Sequence, residues 1–264
     1  MNLEIISKQV INIVKAVGLF IKTESTKISS YDIEIKGYND YVTYVDKEAE
    51  QKLIRELKKV LPDAGFIVEE DQSQETSPTF NWIIDPLDGT TNFIQSIPVY
   101  AISIALCNQE EIIMGIVYEI NSGECFHAVK NGNAFLNEHI ISVSNKKKLS
   151  DSLLATGFPY NDYSYMQQYL SLFKDLMQSS HGIRRLGSAA VDLAYVACGR
   201  FDVFYEYGLK PWDVAAGSFI VQQAGGIITD FLGQSDYIFG QQIIASNNLL
   251  HRSFSKKVKA YFIL

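Results

Sequence analysis

The chain has 264 residues, 47% hydrophobic and 20% charged, with a net charge of −7. That length buries one large core or two ordinary ones, and the balance of apolar and charged residues excludes a disordered chain. The negative charge, with no basic stripe to offset it, argues against a nucleic-acid polymer as ligand.

In chain order, Leu3, Ile6, Val10, Ile13, Val14, Val17 and Phe20 recur at helical spacing, so the chain opens on an amphipathic helix. Glu4, Lys8 and Lys15 interrupt those apolar residues, which is not the pattern of a signal peptide. A second helix is expected from about Asp46 to Val60, stopped by Pro62. Short strands follow at Gly65 to Val68, Trp82 to Ile84 and Val99 to Leu106. Ile112 to Tyr118 and Glu124 to Val129 then read as a hairpin across "NSG". The longest apolar run, Ile97 to Cys107, has about half of the roughly 20 residues that a membrane helix needs. Cys107, Cys125 and Cys198 lie in apolar stretches with no CxxC pair, which fits reduced core thiols in a soluble cytoplasmic protein.

Residues 137 to 152 are polar and basic, with Lys146, Lys147 and Lys148 read as a solvated turn. They divide the chain into halves of residues 1–142 and 143–264. Strand and helix alternate in the second half. Strands are expected at Leu153 to Thr156, Ile183 to Arg185, Phe201 to Tyr205, Gly226 to Asp230 and Ile243 to Ser246. Helices are expected at Tyr163 to Met177, Ala189 to Cys198 behind a Ser188 cap, Val214 to Ala224, and Leu249 to Tyr261. Such alternation predicts a sheet covered by helices.

The chemistry concentrates in "NWIIDPLDGTTNF", residues 81 to 93. Pro86 disfavours the helical region for Asp85, so Asp85-Pro86-Leu87-Asp88 reads as a tight turn that brings both carboxylates within reach of one ion. The turn would free the Leu87 carbonyl, and Gly89, Thr90 and Thr91 read as a helix start with N–H groups facing the same point. A plain type I turn is the ordinary fate of such residues. The company they keep shifts the balance: Glu69 and Glu70 end the strand "GFIV", and Asp213 follows "KPW" at a helix start. Oxygen ligands without His or Cys select a hard cation, Mg²⁺ with Mn²⁺ as substitute. His127, His139, His181 and His251 are scattered without ligand spacing, so zinc is not expected. No GxGxxG, GxxxxGK[ST] or GxSxG is present, and metal-assisted phosphoryl transfer to water is the reaction class these residues support.

"EE", "WIIDPLDGTTNF", "HGIRRLGSAAVDLAYVACGRFDVFYE" and "KPWDVAAGSFIVQQAGG" together resemble the inositol monophosphatase family of Mg²⁺-dependent, lithium-sensitive phosphatases over nearly the whole chain. The resemblance implies a layered α/β/α/β/α sugar-phosphatase fold and a homodimer. It makes Glu69, Asp85 and the Leu87 carbonyl ligands of a first metal, and Asp85, Asp88 and Asp213 ligands of a second. A third, weaker ion would lie near Glu69, with Glu70 the alternative ligand. Thr90, hydrogen-bonded to Asp46, would orient and deprotonate the attacking water. The backbone N–H groups of Gly89 and Thr90 would bind phosphate, and Lys36 matches a lysine near the active site. Glu206 and the segment Gly187, Ser188 and Ala189 match residues around the substrate hydroxyls. Lys210 departs from the histidine of animal members and would favour a second anionic group. Inositol 1-phosphate is the leading substrate. The alternatives are an NADP(H) 2′-phosphatase, a fructose-1,6-bisphosphatase, or a non-catalytic metal-binding or regulatory protein.

Overall fold

A computed structural model describes residues 1–27, 33–37, 40–71, 73–159 and 162–262, without the side chains of 33, 35–37, 40 and 41. The first helix, α1 (Leu3–Glu24), is capped by Asn2, whose side chain accepts from the backbone N–H groups of Glu4 and Ile5. A two-stranded ribbon, β1 (Ile33–Gly37) and β2 (Asp40–Thr43), follows where the sequence reading places no strand. Ile33, Glu34, Ile35 and Lys36 alternate apolar and polar, a strand signal that the sequence reading does not use. Helix α2 (Tyr44–Val60) starts two residues before the expected Asp46, because Thr43 is its cap and Asp46 closes a capping box from the third helical position.

A seven-stranded sheet has the order β3 (Gly65–Val68), β4 (Phe80–Asp88), β5 (Ala101–Asn108), β6 (Glu111–Glu119), β7 (Glu124–Val129), β8 (Ala134–Leu136), β9 (His139–Ile141). Pairing is antiparallel except between β3 and β4. The short β8–β9 hairpin falls partly within the segment expected to be a polar divider. Lys146, Lys147 and Lys148 beyond it are exposed. A five-stranded sheet follows: β10 (Leu153–Thr156) lies between β11 (Gly182–Arg184) and β12 (Val203–Tyr207), with β14 (Gln242–Asn247) and β13 (Gly226–Thr229) outside β12.

Side chains on successive strand residues point to opposite faces, and this alternation builds the layers. Trp82 and Ile84 of β4 face α1 and α2, packing with Val10, Val14, Leu53 and Leu57. Ile83 between them faces the other way, onto α5 (Ala189–Ala197) and α6 (Pro211–Gln223). These two central helices also meet Phe204 and Ala245 of the second sheet. That sheet's outer residues, Val203, Tyr205 and Ile244, pack on α4 (Met166–Ser179) and α7 (His251–Phe262). The order is α1 and α2, sheet, α5 and α6, sheet, α4 and α7: five layers.

The central helices are apolar nearly all round, as a helix buried on both sides must be. Every residue of α6 from Val214 to Val221 is buried. Close approach needs small residues here: a Cβ on Gly115 of β6 would lie 2.6 Å from the Ala216 carbonyl oxygen of α6.

Candidate active site

The expected turn at Asp85-Pro86-Leu87-Asp88 is corrected. Strand β4 runs on through Pro86 to Asp88, and its register against β5 slips between Asp85 and Asp88. Pro86 has no N–H to give the ladder, so an irregularity of this kind is where a strand tolerates it. The Asp85 side chain satisfies the freed backbone, accepting from the Leu87 N–H at 2.9 Å. Reversal comes one residue later, at Gly89, whose φ of +98° places it in the left-handed region before the short helix α3 (Thr90–Ile94). The Leu87 carbonyl accepts from the Thr90 hydroxyl at 3.1 Å.

Two elements deliver the three aspartates, and a third holds one of them in place. Asp85 and Asp88 end β4, and Asp213 sits in the first turn of α6, where its carboxylate accepts from the Lys210 N–H at 2.7 Å. Asp88 is tied to the start of α5: its Oδ2 accepts from Ser188 Oγ at 2.6 Å and from the Ala190 N–H at 2.7 Å. Asp85, Asp88 and Asp213 each offer a carboxylate oxygen within 4.8 Å of the other two. Burial raises the Asp85 pKa well above the ordinary value, and the charges of Glu69, Asp88 and Asp213 add to the rise. Burial likewise pushes Asp88 up to about 6, against its hydrogen bonds from Ser188 and Ala190. Asp213 is pushed up to about 7 by burial and by Asp88. Converging buried carboxylates are unfavourable by themselves and fit a multiply charged cation among them. An all-oxygen donor set with no thiolate or imidazole fits a hard cation such as Mg²⁺ or Mn²⁺.

Thr90 Oγ1 donates to Asp46 Oδ1 at 2.9 Å, linking the start of α3 to the start of α2. The other oxygen of Asp46 accepts from the Thr43 N–H at 2.9 Å, and burial raises the pKa of this carboxyl. Glu69 follows β3, close enough for its charge to act on Asp85. Its loop is held by Glu50, which lies one helical turn after Asp46 and is 1% exposed. Glu50 accepts from the N–H groups of Glu70 and Asp71 at 2.8 and 2.7 Å. Removing a buried acceptor strands its donors at about 1–3 kcal/mol each. Glu50→Ala is therefore expected to lower the melting temperature and weaken Mg²⁺ binding by calorimetry; unchanged Mg²⁺ affinity would show that the loop keeps its place without Glu50.

A cavity of about 100 Å³ opens beside the aspartates. Gly187, Ser188 and Ala189 line it at the start of α5, with Glu206 of β12, Asp192 of α5, and Arg185. Glu206 is buried against Gly157, where a Cβ would lie 2.1 Å from its carboxylate oxygens. Burial raises the pKa of Glu206, as it does that of Asp192. Asn92 Nδ2 donates to the carbonyls of Val99 and Leu186 at 2.7 and 2.8 Å, so it ties α3 to the segment before α5. Lys210 is exposed at the cap of α6 and is not among the cavity's lining residues, and the side chain of Lys36 lies outside the described residues. The sequence reading does not single out Glu50, Gly157, Arg185 or Asp192. An acidic residue on an apolar helix face, as in "AEQKL" and "AAVDLAYVA", is the signal that would have found Glu50 and Asp192.

A family model described as the inositol monophosphatase family matches residues 2–261. The chain belongs to the inositol monophosphatase family. An inositol-1-monophosphatase of Mesorhizobium japonicum is 37% identical over 243 residues, 92% of this chain and 91% of that protein. The protein named Nus factor SuhB of Escherichia coli is 42% identical over 234 residues, 88% of this chain and 87% of its own. The crystal structure of extragenic suppressor protein SuhB from Bartonella henselae superposes with a TM-score of 0.92 at 36% identity, covering 96% of this chain and 98% of that one. Membership in the inositol monophosphatase family supports a phosphatase and agrees with the layered α/β architecture. Among the described residues, no helix is long and apolar enough to cross a membrane.

Proposed function

We propose that the protein is a Mg²⁺-dependent phosphomonoesterase that hydrolyses inositol 1-phosphate by attack of water on phosphorus. The observation that carries this reading is the convergence of Asp85, Asp88 and Asp213, from two separate parts of the chain, within 4.8 Å. Glu69, Asp85 and the Leu87 carbonyl would hold one ion, and Asp85, Asp88 and Asp213 a second, with Mn²⁺ able to replace Mg²⁺ and Li⁺ inhibiting. Bound there, the ions would acidify water and offset the charge between nucleophile, phosphate and leaving alkoxide.

The protein's own groups divide the remaining work. Thr90 Oγ1 takes the proton of the attacking water as its own passes to Asp46 Oδ1, the partner it already meets at 2.9 Å. The N–H groups of Gly89 and Thr90 receive phosphate oxygens. Glu206 accepts from substrate hydroxyls, and Gly187, Ser188 and Ala189 shape the wall beside them. A cytoplasmic homodimer completes this reading, by family likeness. A 42% identical relative named a Nus factor favours a second reading, in which a Nus-factor role accompanies or replaces catalysis.

The test is phosphate release with Mg²⁺ from inositol 1-phosphate, NADP⁺, NADPH and fructose 1,6-bisphosphate, compared by kcat/KM. A lead for inositol 1-phosphate is expected. A lead for NADP(H) or for the bisphosphate would transfer the assignment to that substrate, and no release from any would leave the non-catalytic reading.

A further inference from the structure

Helix α5, "AAVDLAYVA", is apolar except at Asp192. This side chain is 1% exposed, and its Oδ1 has no hydrogen-bond partner among the described residues. A buried carboxyl oxygen without a partner costs about 1–3 kcal/mol, so folding alone gives no reason to keep it in an apolar helix. Its position gives one. Asp192 lines the cavity beside the aspartate cluster, as Glu206 does from β12.

The helix sets the spacing. Ser188, at the cap of α5, holds Asp88 of the cluster at 2.6 Å. Asp192 comes four residues later on the same face, about 6 Å along the axis at 1.5 Å per residue. That step is about the width of a sugar or cyclitol ring. A phosphate ester held at the cluster therefore carries its ring past Ser188 toward Asp192 and Glu206. A carboxyl group accepts hydrogen bonds in either protonation state, so what suits both is a group rich in hydroxyls. A second phosphate in the same place would meet those two acidic groups, with Arg185 the one cation among the described residues of the same lining.

We propose that Asp192 is a specificity-determining residue that, with Glu206, receives hydroxyl protons from the ring of a polyol monophosphate and disfavours substrates with a second anionic group there. This rests on the phosphatase reading above and narrows its substrate class. A site built to hydrogen-bond a hydroxyl discriminates strongly against ligands that lack it.

The experiment compares wild type and Asp192→Asn on inositol 1-phosphate, fructose 1,6-bisphosphate and p-nitrophenyl phosphate, whose ring has no hydroxyls. The expected result is a tenfold or greater fall in kcat/KM for inositol 1-phosphate, a change under twofold for p-nitrophenyl phosphate, and a smaller preference for the monophosphate over the bisphosphate. An equal fall on all three, or no change, would overturn the proposal. Should Asp192→Asn fail to fold, Asp192→Ser carries the same expectation. Calorimetric titration of inositol 1-phosphate in the presence of Ca²⁺ separates the two readings. If wild type releases no phosphate, the phosphatase assignment falls; tenfold weaker binding by the variant would still support the role of Asp192, and equal binding or none would end it.

Discussion

Replacing Asp88 with asparagine is expected to leave the fold intact and reduce kcat/KM by more than the roughly 10–100-fold that outer-shell changes cost at metal sites. Asp88 has two distinguishable oxygens. Oδ2 accepts from Ser188 Oγ and from the Ala190 N–H, and an asparagine carbonyl placed there keeps both bonds. The amide nitrogen then takes the place of Oδ1, in a group that stands within 4.8 Å of Asp85 and Asp213. An amide N–H cannot ligate a cation, and one negative charge is gone, so the loss falls on metal binding rather than on packing. The checks are phosphate release and Mg²⁺ calorimetry on a variant of native circular dichroism. Unchanged turnover would remove Asp88 from the two-ion assignment.

The second large effect concerns stability in the metal-free protein. Asp88 and Asp213 stand at about 6 and about 7 in the folded state, against an ordinary value of 3.8. Between these limits the folded protein keeps protons that the unfolded chain has released. Stability therefore falls as pH rises, from just above 3.8 until both groups are ionised past about 7. Melting in EDTA is accordingly expected to be lower at pH 8 than at pH 5. On the proposed assignment added Mg²⁺ should reverse the order, since it would bind the ionised aspartates and only in the folded state. Asp88→Asn should flatten the EDTA dependence. A melting temperature that is flat or rises between pH 5 and pH 8 in EDTA would contradict the electrostatic account of the cluster.

Exposed ion pairs are the opposing influence. Arg200 holds the Glu124 carboxyl below its ordinary value by hydrogen bonding, and Lys257 does the same for Asp175. Carboxyls of that kind contribute stability that is lost on acidification, below the window used here.

Much of the fold was legible because periodicity is a local property. The apolar run from Trp82 to Ile84 lies within a strand and the helical recurrence from Leu3 to Phe20 within a helix, as the sequence predicts. The ends of elements were less legible. Thr43 and Asp46 form a capping box that moves the start of α2, and the strand through Pro86 violates a sound local rule. There the β5 ladder and the Asp85 side chain supply what the local sequence lacks. The alternation of Ile33, Glu34, Ile35 and Lys36 is a local signal for β1 that the sequence reading does not use, whereas β8 and β9, at three residues each, are too short to show a period.

The sequence by itself determined which side chains are available: acidic groups at strand and helix ends, no imidazole or thiolate in ligand spacing, and apolar faces of the right period for layers. Those follow from residue type and from contacts a few positions apart. What only the tertiary structure decided is which of these groups meet. Asp213 lies more than a hundred residues from Asp85 and Asp88, and α6 brings it to them by packing between two sheets. The same packing buries Asp192 and Glu206 at one cavity and Glu50 behind the Glu70 loop. Burial and proximity are set by the closure of the whole core, so no window of sequence contains them.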